Sequence, residues 1–171
     1  PLYEKIKQDK RVILKLPNVM KTYPVTDQLV LISEYGSFMH YKNIMTDYNF
    51  NVVNSYAVRF LESLGVKRVT LSLECSKEQI EELYDAYLNR YQEQPSLEII
   101  TKTTPIAMTL KYPLLQKYHL KKGYLKRNHD YFPVVQKEND TEIYFCKPIQ
   151  KKLPIKKQIS VRVEYFDEVL N

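Results

Sequence analysis

Apolar positions along the chain follow two rhythms. Through the first hundred residues, short β-rich runs alternate with stretches of helical spacing. Arg11–Leu16 and Gln28–Ser33 read as buried strands, the first closed by Pro17 and the second ending near Gly36. Asp47–Ser55 reads as a third strand carried by Phe50, Val52 and Val53, with Asn54 placed to cap a following helix. Within Ser55–Leu64, Ala57, Phe60, Leu61 and Leu64 share one helical face, and Gly65 supplies a left-handed stop. Val66–Leu73 returns as a strand, and Ser76 with Gln79 forms the Ser-x-x-Gln capping box of a second helix. Ile80, Leu83, Tyr84, Tyr87, Leu88 and Tyr91 line one face of that helix, which Pro95 forbids from continuing. Leu97–Thr101 is again a strand. Strands and helices in alternation with short joints predict right-handed βαβ crossovers and a parallel sheet.

After Pro105 the helical spacing disappears. Ile106–Lys111, Tyr124–Arg127, Tyr131–Val135, Glu142–Cys146 and Ile159–Tyr165 are short strand-like runs, which predicts an antiparallel excursion. Gly123 and Lys137–Thr141 offer its turns, and Val161–Tyr165 alternates apolar and polar positions as a half-exposed strand does.

At 171 residues and 44% hydrophobic content, the chain has the apolar material for a core. No apolar run approaches the roughly 18 residues of a membrane span, and no leader pattern opens the chain, so it reads as soluble and cytoplasmic. The start at Pro1 and the three glycines point to a segment of a larger protein. As a single domain, residues 1–171 divide into βα units (1–104), a β-rich basic insertion (105–158) and a final strand (159–171). Cys75 and Cys146 are far apart with no Cys-x-x-Cys pair, which excludes a disulfide framework and a Cys-rich zinc module and leaves no metal-ligand set.

Charge separates the two rhythms more sharply than composition does. The whole chain carries +6, yet Lys111–Lys157 holds 12 basic and 4 acidic residues, a balance of +8 that leaves −2 elsewhere. Such a segment is either a solvated lysine-rich face or a surface for polyanions, where cations displace phosphate counterions. Tyr112, Tyr118, Tyr124 and Tyr131 are interleaved with Lys117, Lys121, Lys122, Lys126 and Arg127, a mixture that suits base stacking and phosphate contacts. Ordinary strand packing uses tyrosine as freely.

Chemical signatures are sparse. The chain has no Gly-x-Ser-x-Gly, no His-Glu-x-x-His and no glycine-rich phosphate loop, and His40, His119 and His129 are isolated. The better candidates stand where parallel strands end, because those loops build sites in α/β folds. Asn51, Asn54, Ser72 and Glu74 fall there. Glu74 suits a base, a substrate contact or a metal ligand, whereas Asn54 and Glu74 equally suit a plain role as helix cap and flank.

Three stretches, in order, resemble the collagenase-like peptidase family, family U-thirty-two among peptidases of unknown catalytic type. Asp47-Tyr-Asn-Phe-Asn51-Val-Val-Asn54-Ser55 is similar to its Asp-x-x-Leu-Asn-x-x-Asn-Ser strand end. Leu64-Gly-Val-Lys-Arg-Val-Thr-Leu-Ser72-Leu-Glu74 is similar to its Leu-Gly-x-x-Arg-x-x-Leu-Ser-x-Glu segment. Pro105-Ile-Ala-Met108, Leu125-Lys-Arg127 and Tyr131-Phe-Pro133 resemble its Pro-Leu-Met, Leu-Asp-Arg and Phe-Pro elements. The resemblance runs from about Arg11 to Asp167 and implies a TIM-like barrel. Here that means an α/β partial barrel of later βα units with a short antiparallel insertion. The chain falls short of the about 200 residues of a complete barrel, so the expectation includes self-association or a missing N-terminal half.

The family includes collagenase-like proteases and proteins implicated in hydroxylating RNA or a quinone precursor, several with a four-iron cluster. Its cluster-binding members carry four cysteines around the insertion. Here Tyr112 stands at the first position, Gln116–Gly123 holds only His119, and Cys146 alone matches. One thiolate cannot hold a cubane cluster, so no cofactor is expected. Lys126 also replaces the acid of Leu-Asp-Arg. By family resemblance the chain is a peptidase, with Glu74 as base or ligand and Asn51 and Asn54 orienting peptide or water. The alternative is a cluster-free partner in RNA binding or modification, gripping phosphates through Lys117, Lys121, Lys122, Lys126 and Arg127. A further alternative is a non-catalytic subunit of a cluster-bearing paralogue.

Overall fold

A computed structural model describes residues 9, 11–137, 140–152 and 157–164. The chain forms two compact units. The first takes the chain up to Ile100 with a return ending at Val161; the second takes Thr101–Lys152 and the chain from Arg162.

The first unit is built on five parallel strands in chain order. They are β1 (Leu14–Lys15), β2 (Val30–Ile32), β3 (Ile44–Thr46), β4 (Val66–Thr70) and β5 (Leu97–Thr103), the last running on into the second unit. Two helices supply crossovers, α1 (Ser55–Ser63) before β4 and α2 (Lys77–Tyr91) before β5. Both start where side chains satisfy orphan helix donors. Asn54 accepts from the Ala57 N–H at 2.9 Å, and Ser76 and Gln79 close the reciprocal capping box. Gly65 ends the α1 segment at φ +89°, a conformation that side chains rarely adopt. The end of α2 comes at Gln92, left-handed at φ 55°, three residues before Pro95.

Strand alternation assigns two faces to this sheet. One carries Val30, Ile32, Val69, Leu97 and Ile99 and packs in the main core with Val58 and Leu61 of α1 and Ile80, Leu83, Tyr84 and Tyr87 of α2. The sequence pattern assigned α1 a different face. Of the expected face, Leu61 is buried and Ala57 packs against the core, but Phe60 and Leu64 are 54% and 46% exposed, and Ser55 and Val58 turn inward in their place. A helix of nine residues is too short for its own periodicity to decide between adjacent stripes, so packing on the sheet decides.

The expected strand over Asp47–Ser55 is also corrected. The strand is Ile44–Thr46, buried at every residue, and Asp47 then caps a 3₁₀ turn over Tyr48–Phe50. Asn51 is left-handed at φ 50°, so only Val52 keeps a sheet contact, a single parallel bridge to Leu71.

In the second unit β6 (Ile106–Leu110), β7 (Gly123–Arg127), β8 (Asp130–Lys137) and β9 (Asp140–Tyr144) form a four-stranded antiparallel sheet in the order β6-β9-β8-β7. One turn of helix, α3 (Leu114–Lys117), contributes Leu115 to a small core with Val134 and Ile143. Gly123 begins β7 rather than making a turn. The reversal is Asn128-His129, with Asn128 left-handed at φ 55°, which asparagine tolerates. Pro133 lies inside β8, yet the β8–β9 ladder begins only at Val134, so its missing N–H interrupts no bond to β9. The end of β5 is joined by β10 (Ile149–Gln150), antiparallel, and by β11 (Ser160–Val163). Along β11 the expected alternation holds over the described residues. Val161 and Val163 face outward and Arg162 inward, beside Glu164, which accepts from the Thr103 hydroxyl at 2.5 Å. Tyr165 lies outside the described residues, as does part of the Lys137–Thr141 turn.

The partial TIM-like barrel is overturned. The architecture is mixed α/β, a curled parallel and mixed sheet with a separate antiparallel sheet. Helix makes up 24% and strand 34%, whereas a barrel repeats one helix per strand. Between β2 and β3 stands only a 3₁₀ turn (Tyr35–Met39), and the end of β5 is occupied by β10 and β11 in place of a further parallel strand. No described helix is long and apolar enough to cross a membrane.

The capping box gives a direct stability test. Ser76→Ala removes the acceptor of the Gln79 N–H and should cost about 1 kcal/mol, read as a lower urea midpoint at unchanged slope. An unchanged midpoint shows that the cap contributes nothing.

Candidate functional site

The second face of the parallel sheet is polar at its C-terminal end. Lys15, Leu31, Met45 and Arg68 lie in one row across β1 to β4, and alternation places Asp47, Thr70 and Glu98 on the same side, one row further on. Asp47 is wholly buried. Its backbone N–H donates to the Ile32 carbonyl at 2.8 Å, and its carboxylate accepts from the Tyr48 N–H at 2.8 Å and faces Lys15 Nζ at 3.0 Å. On the neighbouring pair of strands, the Thr70 hydroxyl donates to the buried Glu98 carboxylate at 2.9 Å.

Of the three residues proposed for peptide chemistry, only Asn51 joins a side-chain network at these strand ends. The Ser72 hydroxyl donates to the Asn51 side-chain carbonyl at 2.6 Å, the Ser72 N–H donates to the Val52 carbonyl at 3.0 Å, and the Glu74 N–H donates to Ser72 Oγ at 3.2 Å. The left-handed backbone at Asn51 precedes the Val52–Leu71 bridge and lets its side chain reach Ser72. Asn54 caps α1 through its side-chain oxygen. Glu74 stands in the exposed turn between β4 and α2, and its carboxylate has no hydrogen bond or ion pair among the described residues. Asn51 and Glu74 are thus linked through Ser72 by a backbone contact, while Asn54 is committed elsewhere.

Sequence reasoning missed Lys15, Asp47, Thr70 and Glu98. Asp47 carried a usable signal, since a carboxylate directly after the short run Ile44-Met45-Thr46 at a strand end is either a cap or a buried ion pair, and here it is both.

The second candidate site lies in the second unit. Lys117, Lys121, Lys122, Lys126 and Arg127 are all exposed and lie in or near β7, which among the described residues pairs only with β8. Lys117, Lys121, Lys126 and Arg127 enter no ion pair among the described residues. Lys117 ends α3 and sits 5.2 Å from the centre of the Tyr112 ring, and hydrogen bonding to Tyr112 raises its pKa above the usual lysine value. Lys121 and Lys122 occupy the loop between α3 and β7. Lys126 faces Tyr131 and Arg127 faces Asp130 in the hairpin register, so these two cations leave opposite faces of one edge strand. Lys121, Lys122, Lys126 and Arg127 lie on or just before β7, while Lys117 ends the short helix that packs on β8 and β9.

Among the described residues, no group of three or more His, Cys, Asp and Glu side chains is placed to hold a metal ion. Cys146 follows β9 and is half-buried, and with Cys75 buried in the first unit's core the donor set does not fit a cubane cluster. Comparison of the chain with family profiles, curated proteins and solved structures finds no match. The family resemblance rests on the quoted segments alone.

The buried carboxylate makes the Lys15 contact testable. Lys15→Met removes the cation 3.0 Å from Asp47 and should destabilise by about 2 kcal/mol, less than for a fully buried pair because Lys15 is half-exposed. Lys15→Arg should retain most of the stability in the same urea titration. Equal stability of the Met variant and the parent rules out a structural role for the pair.

Proposed function

We propose that the chain binds RNA, gripping phosphates through the cations around β7. The carrying observation is that Lys117, Lys121, Lys126 and Arg127 are exposed and uncompensated by ion pairs, inside a segment of +8. An exposed cation with no carboxylate partner gains little from its own fold, whereas against a phosphate backbone each contact releases a counterion. The reading suits a cytoplasmic partner in RNA binding or modification that works without its own cluster. It is supported further by the weak case for chemistry at the strand ends, where the buried carboxylates Asp47 and Glu98 already have protein partners.

Binding of a short single-stranded RNA should weaken steeply with salt. The double charge reversal Lys121→Glu with Lys122→Glu should lower the log–log salt slope by about 1.4, at roughly 0.7 for each phosphate no longer neutralised. RNA affinity and slope unmoved by these substitutions defeat the proposal.

Peptide hydrolysis is the second reading, favoured by one feature, the accessible Glu74 carboxylate at the end of β4. Under that reading Glu74→Gln abolishes cleavage of a denatured-collagen substrate without changing the unfolding midpoint. Absence of cleavage by the parent chain removes this reading.

A further inference from the structure

We propose that the RNA bound by the second unit is single-stranded, with bases stacked on Tyr124 and Tyr131. This inference rests on the RNA-binding reading and adds the form of the nucleic acid and the residues that distinguish it. The β7–β8 hairpin pairs Tyr124 with Pro133 and Lys126 with Tyr131. All four lie on one face of the sheet, opposite to the face that packs Leu115, Val134 and Ile143. Tyr124 and Tyr131 are diagonal neighbours across the two strands, which places them roughly 7–8 Å apart. Both rings are more than half exposed, 57% and 54%. Two large aromatic rings so exposed gain little from packing in this fold, and they sit beside the uncompensated Lys126.

The spacing leaves each ring its own base. Lys126 Nζ stands over the Tyr131 ring at 5.5 Å from its centre, a cation–π contact, and the ring still keeps 54% of its surface exposed to a flat partner. Lys126 shares the face with both tyrosines and supplies a cation for the phosphate that joins two stacked nucleotides. A duplex hides its base faces, and only its phosphates would meet this surface. Charge alone therefore favours the duplex, which carries more of it, whereas stacking favours the single strand.

The test compares a single-stranded oligouridylate of roughly ten nucleotides with an RNA duplex of the same length, titrated against the full chain at one salt concentration. The single strand should bind more tightly. Tyr124→Ala with Tyr131→Ala should weaken single-strand binding by roughly tenfold to a hundredfold while leaving duplex binding unchanged. Tyr124→Phe with Tyr131→Phe should restore the single-strand preference, since phenylalanine keeps the stacking surface. Duplex binding equal to or tighter than single-strand binding, or a loss common to both forms in the alanine variant, overturns the stacking inference and leaves the phosphate-binding reading standing. Failure of the parent chain to bind either RNA overturns both.

Discussion

Burying the Asp47 carboxylate is the constraint on which the first unit turns. A parallel sheet has to be covered on both faces, and here one face is covered by α1 and α2 while the other carries charge at the strand ends. A carboxylate removed from water demands compensation by hydrogen bonds and a nearby cation. Asp47 receives both from separate parts of the chain, the Tyr48 N–H from its own turn and Lys15 from β1, while its backbone N–H bonds to the Ile32 carbonyl at the end of β2. Three strands and a turn thereby converge on one residue. The same logic recurs at Thr70 and Glu98, where a neutral hydroxyl from β4 meets a buried carboxylate on β5. These contacts pin the register across the sheet at the end where α/β folds place their sites.

That commitment bears on chemistry. A carboxylate already engaged by a lysine and a backbone amide is poorly placed to take a proton from substrate. Glu74 has no such engagement, but it also lacks an orienting partner for its carboxylate among the described residues. Ser72 and Asn51 bond to each other, and Ser72 reaches Glu74 only through the backbone N–H. The strand ends are better explained as the structural centre of the first unit than as a hydrolytic constellation.

The features legible in the sequence are those with a local cause. Asn54 and the Ser76/Gln79 pair announce helix starts, because a cap is satisfied within four residues. Gly65 announces a left-handed stop for a similar reason. The antiparallel part was legible from its short β-rich runs. What escaped has long-range causes. Ile44–Thr46 is only three residues and buried throughout, so it shows neither alternation nor helical spacing, while Phe50-Asn-Val-Val offers a more persuasive strand pattern nearby. The Asn51 backbone, left-handed, breaks that pattern in a way residue types do not reveal. Alternation along β11 was legible but its inward side was not, since Arg162 turns in beside Glu164, which in turn bonds to Thr103. The barrel expectation failed for a related reason. Sequential parallel strands are common to closed and open sheets, and what occupies the end of β5 is decided by segments some fifty residues downstream.

The second unit shows how one composition answers two physical demands. Its core is small, centred on Leu115, Val134 and Ile143, and β7 contributes little to it, with Tyr124 through Arg127 all exposed. An edge strand exposed on both faces is a template for unwanted pairing with another chain. Lys126 and Arg127, leaving opposite faces at its end, make such pairing electrostatically costly for a second copy bearing the same charges. The property that repels an identical strand attracts a polyanion, which brings no β edge and no positive charge. Under the proposed reading, protection against strand addition and affinity for phosphate fall to the same two side chains. The tyrosines are not explained by edge protection, since aromatic side chains strengthen cross-strand pairing rather than discourage it. Under the proposed reading their exposure serves the flat bases of a single strand, and it is on that point that the hairpin's aromatic residues and its cations converge.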